Sequence, residues 1–304
     1  MKQSQILIRY GEIGLKAENT RRQFANQLKK NIKQAFSQEK IPLKLVIKRG
    51  RFFLHTNEIA KASKVLEKIF GIVSFSPVWE SSATLSVLTK DVIQVISTRL
   101  TSETSFALRV RRSGTHEYTS QDVAVHVGQV LCNNFSSPVD LENPEVELFI
   151  EIRDQQAFLF LEKIKGVGGM PYATQGTVCS IIEKPIDLLA SWFLMKRGCK
   201  LHMIVTTESL LDCTKEFLET WYVKDNSKIF FKEDLSFLQA LNQEVNIVDC
   251  NAVCTGINCF KNEKLCLKII KQIQKSCSLP VLTPLISMNE RELEKRAKQV
   301  GIKQ

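Results

Sequence analysis

The sequence lacks any apolar run long enough to cross a lipid bilayer. A membrane-spanning helix needs roughly 18 to 20 consecutive apolar residues, and polar or charged residues interrupt every apolar stretch of this chain well before that length. An export signal is not indicated either, because Arg9 and Glu12 stand where its apolar segment would continue. We therefore expect a cytoplasmic protein.

Paired cysteine motifs are also lacking. The chain has nine cysteines, an odd number, and none forms a CxxC pair, so they are expected to be free thiols in a reducing compartment. One group of four is dense enough to suggest a metal or cluster, but its spacing is wider than zinc and iron–sulfur sites usually show. That group comprises Cys250, Cys254, Cys259 and Cys266. We expect no metal.

Histidine is scarce, with four residues in the chain. None has a cysteine, serine or acidic partner at the spacing of a known motif, so neither a catalytic triad nor a metal site is indicated. We assign no catalytic residue.

Acidic residues are few at the N-terminal end. The net charge is +10, and residues 1–70 carry 16 Lys and Arg against 5 Asp and Glu. Such a concentration favours a polyanionic partner, because phosphates neutralised by cationic side chains release counterions. We expect RNA, and neither DNA nor a membrane.

The first predicted unit, residues 1–71, has the element order of a ferredoxin-like domain. A strand at 5–9 is followed by a helix capped by Asn19 or Thr20, by two strands at 43–48 and 51–56 that turn at Arg49 and Gly50, and by a helix at 58–70. The cationic side chains of the first helix lie outside its apolar stripe. Among them are Arg21, Arg22, Lys29 and Lys30.

The second predicted unit, residues 72–165, contains a helix at 91–100, a strand at 106–111, a helix at 120–135 and a hairpin of strands at 146–152 and 156–161. A capping box begins its second helix, because Thr119 is followed three residues later by Asp122.

A glycine-rich linker, 166–176, then leads to the third predicted unit, 177–304. There a strand at 177–182, a helix at 187–196 and a strand at 201–206 form a βαβ unit, which predicts a doubly wound parallel sheet.

Cationic and aromatic residues cluster where the strand at 106–111 meets the following helix. Arginine matches phosphate oxygens with two parallel hydrogen bonds, and tyrosine or histidine can stack on an unpaired base. An RNA contact is one interpretation, and the solvated face of an ordinary strand is the other. The residues alone leave both open.

The run FALRVRRSGTHEYTSQDVAVHVG resembles the THUMP-domain signature of tRNA 4-thiouridine synthetases, also called tRNA sulfurtransferases. Other segments resemble the same family in the same order, namely RYGEIGLKAENTRRQF, IKGVGGMPYATQG, ASWFLMKRG and PVLTPLISMNERELEKRAKQVGI. The resemblance implies an N-terminal ferredoxin-like domain and a THUMP domain that hold tRNA by its acceptor-stem end, and a C-terminal ATP-pyrophosphatase-like domain. It implies RNA contacts at Arg109, Arg111, Arg112, Ser113, His116 and Tyr118, in addition to the cationic residues of the first helix.

The family's phosphate-binding loop is altered in this chain. Where the family has Ser-Gly-Gly-Ile-Asp-Ser-Pro, the matching residues, anchored on Trp192, are Ile182, Glu183, Lys184, Pro185, Ile186, Asp187 and Leu188. Both glycines are missing, Glu183 adds negative charge and Pro185 has no backbone N–H. The family's Thr-Gly-Glu appears as Thr255-Gly256-Ile257, and the chain ends at Gln304, before the segment that would supply the sulfur-handling cysteine.

These features predict a tRNA-binding protein that is non-catalytic, or that holds RNA for a separate catalytic or sulfur-relay protein, with no nucleotide cofactor. Two alternatives stay open. One is an active ATP-dependent tRNA sulfurtransferase with an altered loop, and the other is a general structured-RNA-binding protein. A homodimer is compatible with each.

Overall fold

The computed structural model describes residues 3–11, 17–48, 50–232, 236–245, 249–260 and 263–302. It divides into two compact units. The first unit comprises Met1–Arg9, Ile41–Lys64 and Ser74–Lys165, and the second comprises Tyr10–Lys40, Val65–Val73 and Gly166–Gln304. The boundaries predicted at 71, 165 and 176 stay predictions. The predicted turn residue Arg49 lies outside the described residues.

An eight-stranded sheet dominates the first unit, with strand order β2-β3-β1-β4-β7-β6-β5 and β8 paired to β4. Its strands are β1 Gln5–Tyr10, β2 Lys44–Lys48, β3 Arg51–His55, β4 Ile72–Ser82, β5 Phe106–Ser113, β6 Val146–Arg153, β7 Gln156–Phe160 and β8 Ile164–Lys165. Three helices belong with it: α2 Ile59–Leu66, α3 Leu85–Ile96 and α4 Ser120–Phe135. Strand β5 lies at an edge of the sheet and pairs in parallel with β6.

Helical spacing explains why α4 packs on this sheet. Val123, Val127 and Leu131 recur every four residues and are fully buried, in one cluster with Leu148 and Ile150 of β6. The side chains of β6 that alternate with these two, at 149 and 151, point to the opposite face of the sheet. The helix predicted at 120–135 is confirmed.

Two predicted helix starts are wrong. The helix predicted at 91–100 is α3, Leu85–Ile96, because Leu88 and Val92 continue the buried stripe backward and the hydroxyl of Ser82 accepts the backbone N–H of Thr84 just before it. The first helix, α1, runs Glu18–Gln38 and follows Ala17 without a side-chain cap, so the predicted caps at 19 and 20 lie inside it. By its contacts, α1 belongs to the second unit.

The second unit contains the predicted parallel sheet, with strand order β11-β10-β9-β12-β13. Its strands are β9 Gln175–Ile182, β10 Cys199–Val205, β11 Lys228–Phe231, β12 Ala252–Cys254 and β13 Val281–Leu282. Its remaining helices are α5 Asp187–Lys196, α6 Glu208–Thr220, α7 Phe237–Val245, α8 Glu263–Ser276 and α9 Glu290–Gln299. The strand order reverses direction between β9 and β12, and ligands of such sheets bind where it reverses, beyond the carboxyl ends of the strands.

The glycine-rich segment predicted as a linker is hydrogen-bonded within the second unit. The backbone N–H of Gly166 donates to Val73 O at 3.0 Å, and that of Gly168 to Ile72 O at 2.8 Å. A Cβ at Gly169 would lie 2.1 Å from the carbonyl oxygen of Lys196. Glycine is therefore needed at 169 to let two backbone segments meet.

Helix α8 exposes part of its apolar surface. The side chains of Leu265 and Leu267 are 52% and 45% exposed. The buried side chains of α8 are Cys266 and Ile273, because they lie on the side of the helix that packs on the unit, where Ile269 is partly buried.

Candidate functional site

The turn between β5 and α4 is held by its own side chains. Thr119 Oγ1 accepts the backbone N–H of Asp122 at 3.2 Å, and the Asp122 carboxylate accepts the backbone N–H of Thr119 at 2.8 Å. This confirms the predicted capping box. The start of α4 is thereby fixed at Ser120.

The predicted RNA residues after β5 mainly hold this turn. Arg112 donates to His116 Nδ1 at 3.1 Å, and His116 Nε2 lies 2.6 Å from the carbonyl oxygen of Asp154. Since a guanidinium only donates and a carbonyl only accepts, the ring carries its proton on Nε2. The hydroxyl of Tyr118 donates to Ala83 O, and burial raises the pKa of that phenol. These contacts leave little of the three side chains for a ligand.

Arg109 and Arg111 make different contacts, although both follow the same alternating pattern in the sequence. Arg109 donates from Nε to Glu147 Oε1 at 2.5 Å and from Nη2 to Leu141 O at 2.8 Å. Arg111 is exposed, and no ion pair within the described ranges includes it. Arg111 is therefore the better placed of the two for a phosphate. Ser113 Oγ is buried and has no hydrogen-bond partner in the part of the chain that the structure describes.

A groove of about 1090 Å³ follows the edge strand β5. One wall is helix α4, which contributes Gln121 and Gln129, and side chains of β5, β6 and the loop after β7 line much of the rest. The lining includes Leu108, Arg109, Val110, Arg111, Val125, Glu147, Phe149 and Lys163. Such a mixture of apolar surface, amides and cations can take an aromatic base beside a phosphate.

Lys163 and a buried ionic cluster are the residues that sequence reasoning missed. The ammonium of Lys163 lies 3.6 Å from the ring centroid of Phe149, which stacks on Phe160 with centroids 5.1 Å apart. Burial lowers the pKa of Lys163, and the charges of Arg9 and Arg111 add to the effect. Glu147 and Glu151 oppose it, and the groove lining combines three cationic side chains, Arg109, Arg111 and Lys163, with Glu147 and Glu162. The alternation of Phe149 along β6 could have signalled an aromatic residue on this face.

The cluster centres on Glu151, which is 6% exposed. Burial alone would raise the pKa of Glu151, but the arginines around it lower that pKa below its ordinary value. The distances from its carboxylate are 2.5 Å to Arg153, 3.4 Å to Arg9 and 3.4 Å to Arg51. One carboxylate therefore holds three guanidinium groups on this sheet.

The cationic residues predicted on the first helix occupy α1. Arg21, Arg22 and Lys30 are exposed and Lys29 is half-buried. They belong to the second unit by contacts, whereas the arginines of β5 belong to the first.

The altered loop, residues 182–188, lies where the parallel sheet reverses its strand order. Asp187 Oδ2 accepts the backbone N–H groups of Glu183 and Lys184, each at 2.9 Å. The N–H groups of Asp187 and Leu188 donate to carbonyls of the same loop, and Pro185 has none. The backbone N–H groups of residues 183, 184, 187 and 188 are thus occupied from within the chain.

Burial shapes the electrostatics of this loop. It raises the pKa of Asp187, although the two backbone N–H groups oppose the change. The pKa of Glu183 is raised by burial and by the charge of Asp187. An ATP triphosphate would meet two carboxyl groups here and few donors. These residues do not fit that group.

The backbone at Gly256 lies against the Asp187 carboxylate, on the side away from the loop at 182–188. Thr255, Gly256 and Ile257 follow β12, and a Cβ at Gly256 would lie 2.0 Å from Asp187 Oδ1. The Asp187 carboxylate is therefore enclosed between its own loop and the backbone after β12.

The four cysteines singled out from the sequence do not meet at one point. Cys250 Sγ lies 2.8 Å from Cys179 Sγ, and Cys259 contacts Cys266, with burial raising the pKa of Cys259 to about 11. Burial raises the pKa of Cys254 to about 12. Over the ranges that the structure covers, no group of three or more His, Cys, Asp or Glu could hold a metal ion. The same ranges contain no helix with the length and apolarity to cross a membrane.

Comparison with known families first defines the class. The model of the ThiI ferredoxin-like domain matches residues 5–76, and the THUMP domain model matches residues 82–162. The chain is thus a THUMP-domain protein.

Whole-length relatives then give the family. A probable tRNA sulfurtransferase of Methanocaldococcus jannaschii is 30% identical over 98% of this chain and 88% of the relative. One of Methanothermobacter thermautotrophicus is 31% identical over 97% and 84%, respectively. The chain belongs to the tRNA sulfurtransferase family, as its motifs predicted.

Solved structures agree on the fold. The crystal structure of PH1313 from Pyrococcus horikoshii matches with a TM-score of 0.82 at 28% identity, covering 98% of this chain and 99% of that one. A 4-thiouridine synthetase, solved as an RNA complex with bound ATP, matches with a TM-score of 0.79 at 21% identity, covering 99% and 86%. The predicted combination of ferredoxin-like, THUMP and parallel-sheet domains is confirmed.

Proposed function

We propose that this chain binds tRNA by its acceptor-stem end through the first unit, and that its altered loop does not bind ATP in the manner of its family. It acts as a non-catalytic tRNA-binding protein, or as the RNA-holding subunit for a separate catalytic or sulfur-relay protein. The observation that carries the proposal is the Asp187 carboxylate seated on the N–H groups of Glu183 and Lys184.

The groove along β5 supports the RNA half of the proposal. Arg111 and Lys163 supply charge, Phe149 and Leu108 supply apolar surface, and the edge of β5 supplies polar backbone groups. Single-stranded RNA ends present bases and phosphates together, which such a surface suits. The structurally similar 4-thiouridine synthetase was solved with RNA.

The loop supports the non-catalytic half. A phosphate would have to displace a buried carboxylate from two hydrogen bonds of 2.9 Å, and Gly256 blocks its movement on one side. Anion sites at helix starts depend on open N–H groups, and here those of residues 183, 184, 187 and 188 already have acceptors within the chain.

An active ATP-dependent sulfurtransferase is the second candidate. It is favoured by relatives of that name that align along more than four fifths of their length. A general structured-RNA-binding protein is the third, since sequence-independent phosphate contacts do not require tRNA. Competition between tRNA and an unrelated RNA duplex separates the third candidate from the first.

The deciding experiment is titration calorimetry of the whole chain with Mg·ATP, followed by ATP–pyrophosphate exchange with tRNA present. We expect tRNA binding at low salt, no heat of ATP binding and no exchange. Saturable ATP binding together with exchange would establish the sulfurtransferase candidate. An Asp187→Ala variant serves as a control, because opening the loop should not abolish tRNA binding.

A further inference from the structure

Four lysines form a straight row along helix α8. This α8 lysine row comprises Lys264, Lys268, Lys271 and Lys275, all exposed. With about 100° of rotation per residue, they fall within an arc of about 60° and extend over about 16 Å. The buried residues Cys266 and Ile273 lie on the opposite side. The row is therefore directed to solvent along its whole length.

Acidic side chains do not offset this row. Glu263 is the one acid within α8, and none of the four lysines forms an ion pair with any residue that the structure describes. Like charges three and four residues apart destabilise a helix, so the row opposes the folding of α8. By contrast, α9 mixes both signs, and its Arg296 lies 3.5 Å from Glu292.

We propose that the α8 lysine row binds the phosphate backbone of structured RNA, as a second contact that lies on the C-terminal unit. This inference rests on the proposed function, because it requires an RNA partner. Phosphates repeat along a strand, so a line of ammonium groups can meet several of them. Lysine does so as a point charge on a flexible arm, without reading sequence.

The distribution of apolar side chains argues against a membrane surface. A helix that lies in a membrane interface buries one continuous apolar face. In α8 that face is already packed in the protein, and the exposed Leu265 and Leu267 lie on opposite sides of the lysine row. An acidic protein remains the competing occupant, and the experiment tests it.

The test compares two variants of equal charge. One is Lys264→Gln, Lys268→Gln, Lys271→Gln and Lys275→Gln together. The control replaces four other lysines of the second unit by Gln, two of them already paired with acids, namely Lys215, Lys224, Lys295 and Lys298. The affinity for tRNA and for a blunt RNA duplex is measured from 50 to 300 mM salt.

We expect the row variant to bind both RNAs about tenfold more weakly at 0.1 M salt, and the slope of log K against log salt to fall by about 3. The control variant should keep most of the wild-type slope. Replacing the four lysines of the row by Arg keeps their charge and should preserve binding. This variant shows whether a loss in the Gln variant comes from the lost charge or from a folding defect. Circular dichroism and the Tm verify that each variant folds.

The inference is overturned if both Gln variants lose the same slope, or if the row variant keeps the wild-type slope. It is also overturned if the row variant loses affinity for polyglutamate but not for RNA, which would indicate an acidic protein. Failure of the proposed function looks different, because the wild-type chain would then bind no tRNA. If Arg111→Ala weakens RNA binding and the row variant does not, the second contact is refuted while the proposed function stands.

Discussion

Arg109 donates to Glu147 across the β5–β6 pair, with Nε and Oε1 2.5 Å apart, while Arg111 two residues further along β5 has no such partner in the described part of the chain. The two side chains share one face of the sheet. They therefore offer unequal charge to a ligand in the groove.

Arg111→Ala is expected to weaken tRNA binding and to lower the slope of log K against log salt by about one, which is the loss of one phosphate contact. Arg109→Ala should lower the slope by less, because Glu147 already offsets much of its charge. Filter binding across a salt series measures both. Equal losses in the two variants would contradict the distinction.

Glu151→Gln is expected to destabilise the protein by about 3 kcal/mol, because removing the carboxylate leaves guanidinium groups buried without their counter-charge. The control is Glu147→Gln, which removes a more exposed pair and should cost less than about 1 kcal/mol. Urea unfolding at pH 7 compares them.

The pH dependence of the Glu151 effect has a defined sign. Although burial opposes the change, the surrounding arginines lower the folded pKa of Glu151. Its contribution to stability is therefore full above the unfolded value, about 4.3, and is lost as the pH falls through the folded pKa. A difference between wild type and Glu151→Gln that grew toward acid would contradict this assignment.

Local patterns predicted much of this structure. The four-residue spacing of Val123, Val127 and Leu131 gave α4, and the Thr119 and Asp122 pair marked its start, because both signals act within a few residues. The parallel sheet followed from the alternation of strands and helices.

Long-range pairing could not be predicted in the same way. Glu147 is 38 residues from Arg109, and Glu151 joins arginines at 9, 51 and 153. No periodicity links such positions, since the sheet register alone brings them together. The start of α3 was missed for another reason: three consecutive polar residues, Thr89 to Asp91, separate the apolar first turn from the apolar residues that follow.

Gly169→Ala is expected to destabilise the chain by about 3 kcal/mol. Its φ of 75° is costly for alanine, and the new Cβ would lie 2.1 Å from Lys196 O. Gly168→Ala is a matched control, because its φ is 71° but nothing lies within 4 Å, so strain alone should cost about 1 kcal/mol. Thermal unfolding distinguishes them, and equal costs would show that the close approach at 169 does not constrain the fold.

Asp187→Asn tests the closed loop through pH. Burial raises the folded pKa of Asp187, so between the unfolded value of about 3.9 and the folded pKa the native state binds more protons than the unfolded chain. The contribution of Asp187 to stability is then full at low pH and declines as the pH rises through that window. Wild type should lose stability relative to Asp187→Asn from pH 4 upward, with a plateau above the folded pKa, as measured by urea unfolding at each pH.

The control is Glu183→Gln, introduced into both wild type and Asp187→Asn. It removes the contribution of the neighbouring Glu183 carboxyl to the pH dependence, since the pKa of that carboxyl is also raised, by burial and by Asp187. If the two stability curves run parallel from pH 4 to 7, Asp187 is not held in a buried loop, and the main support for a site closed to ATP is lost.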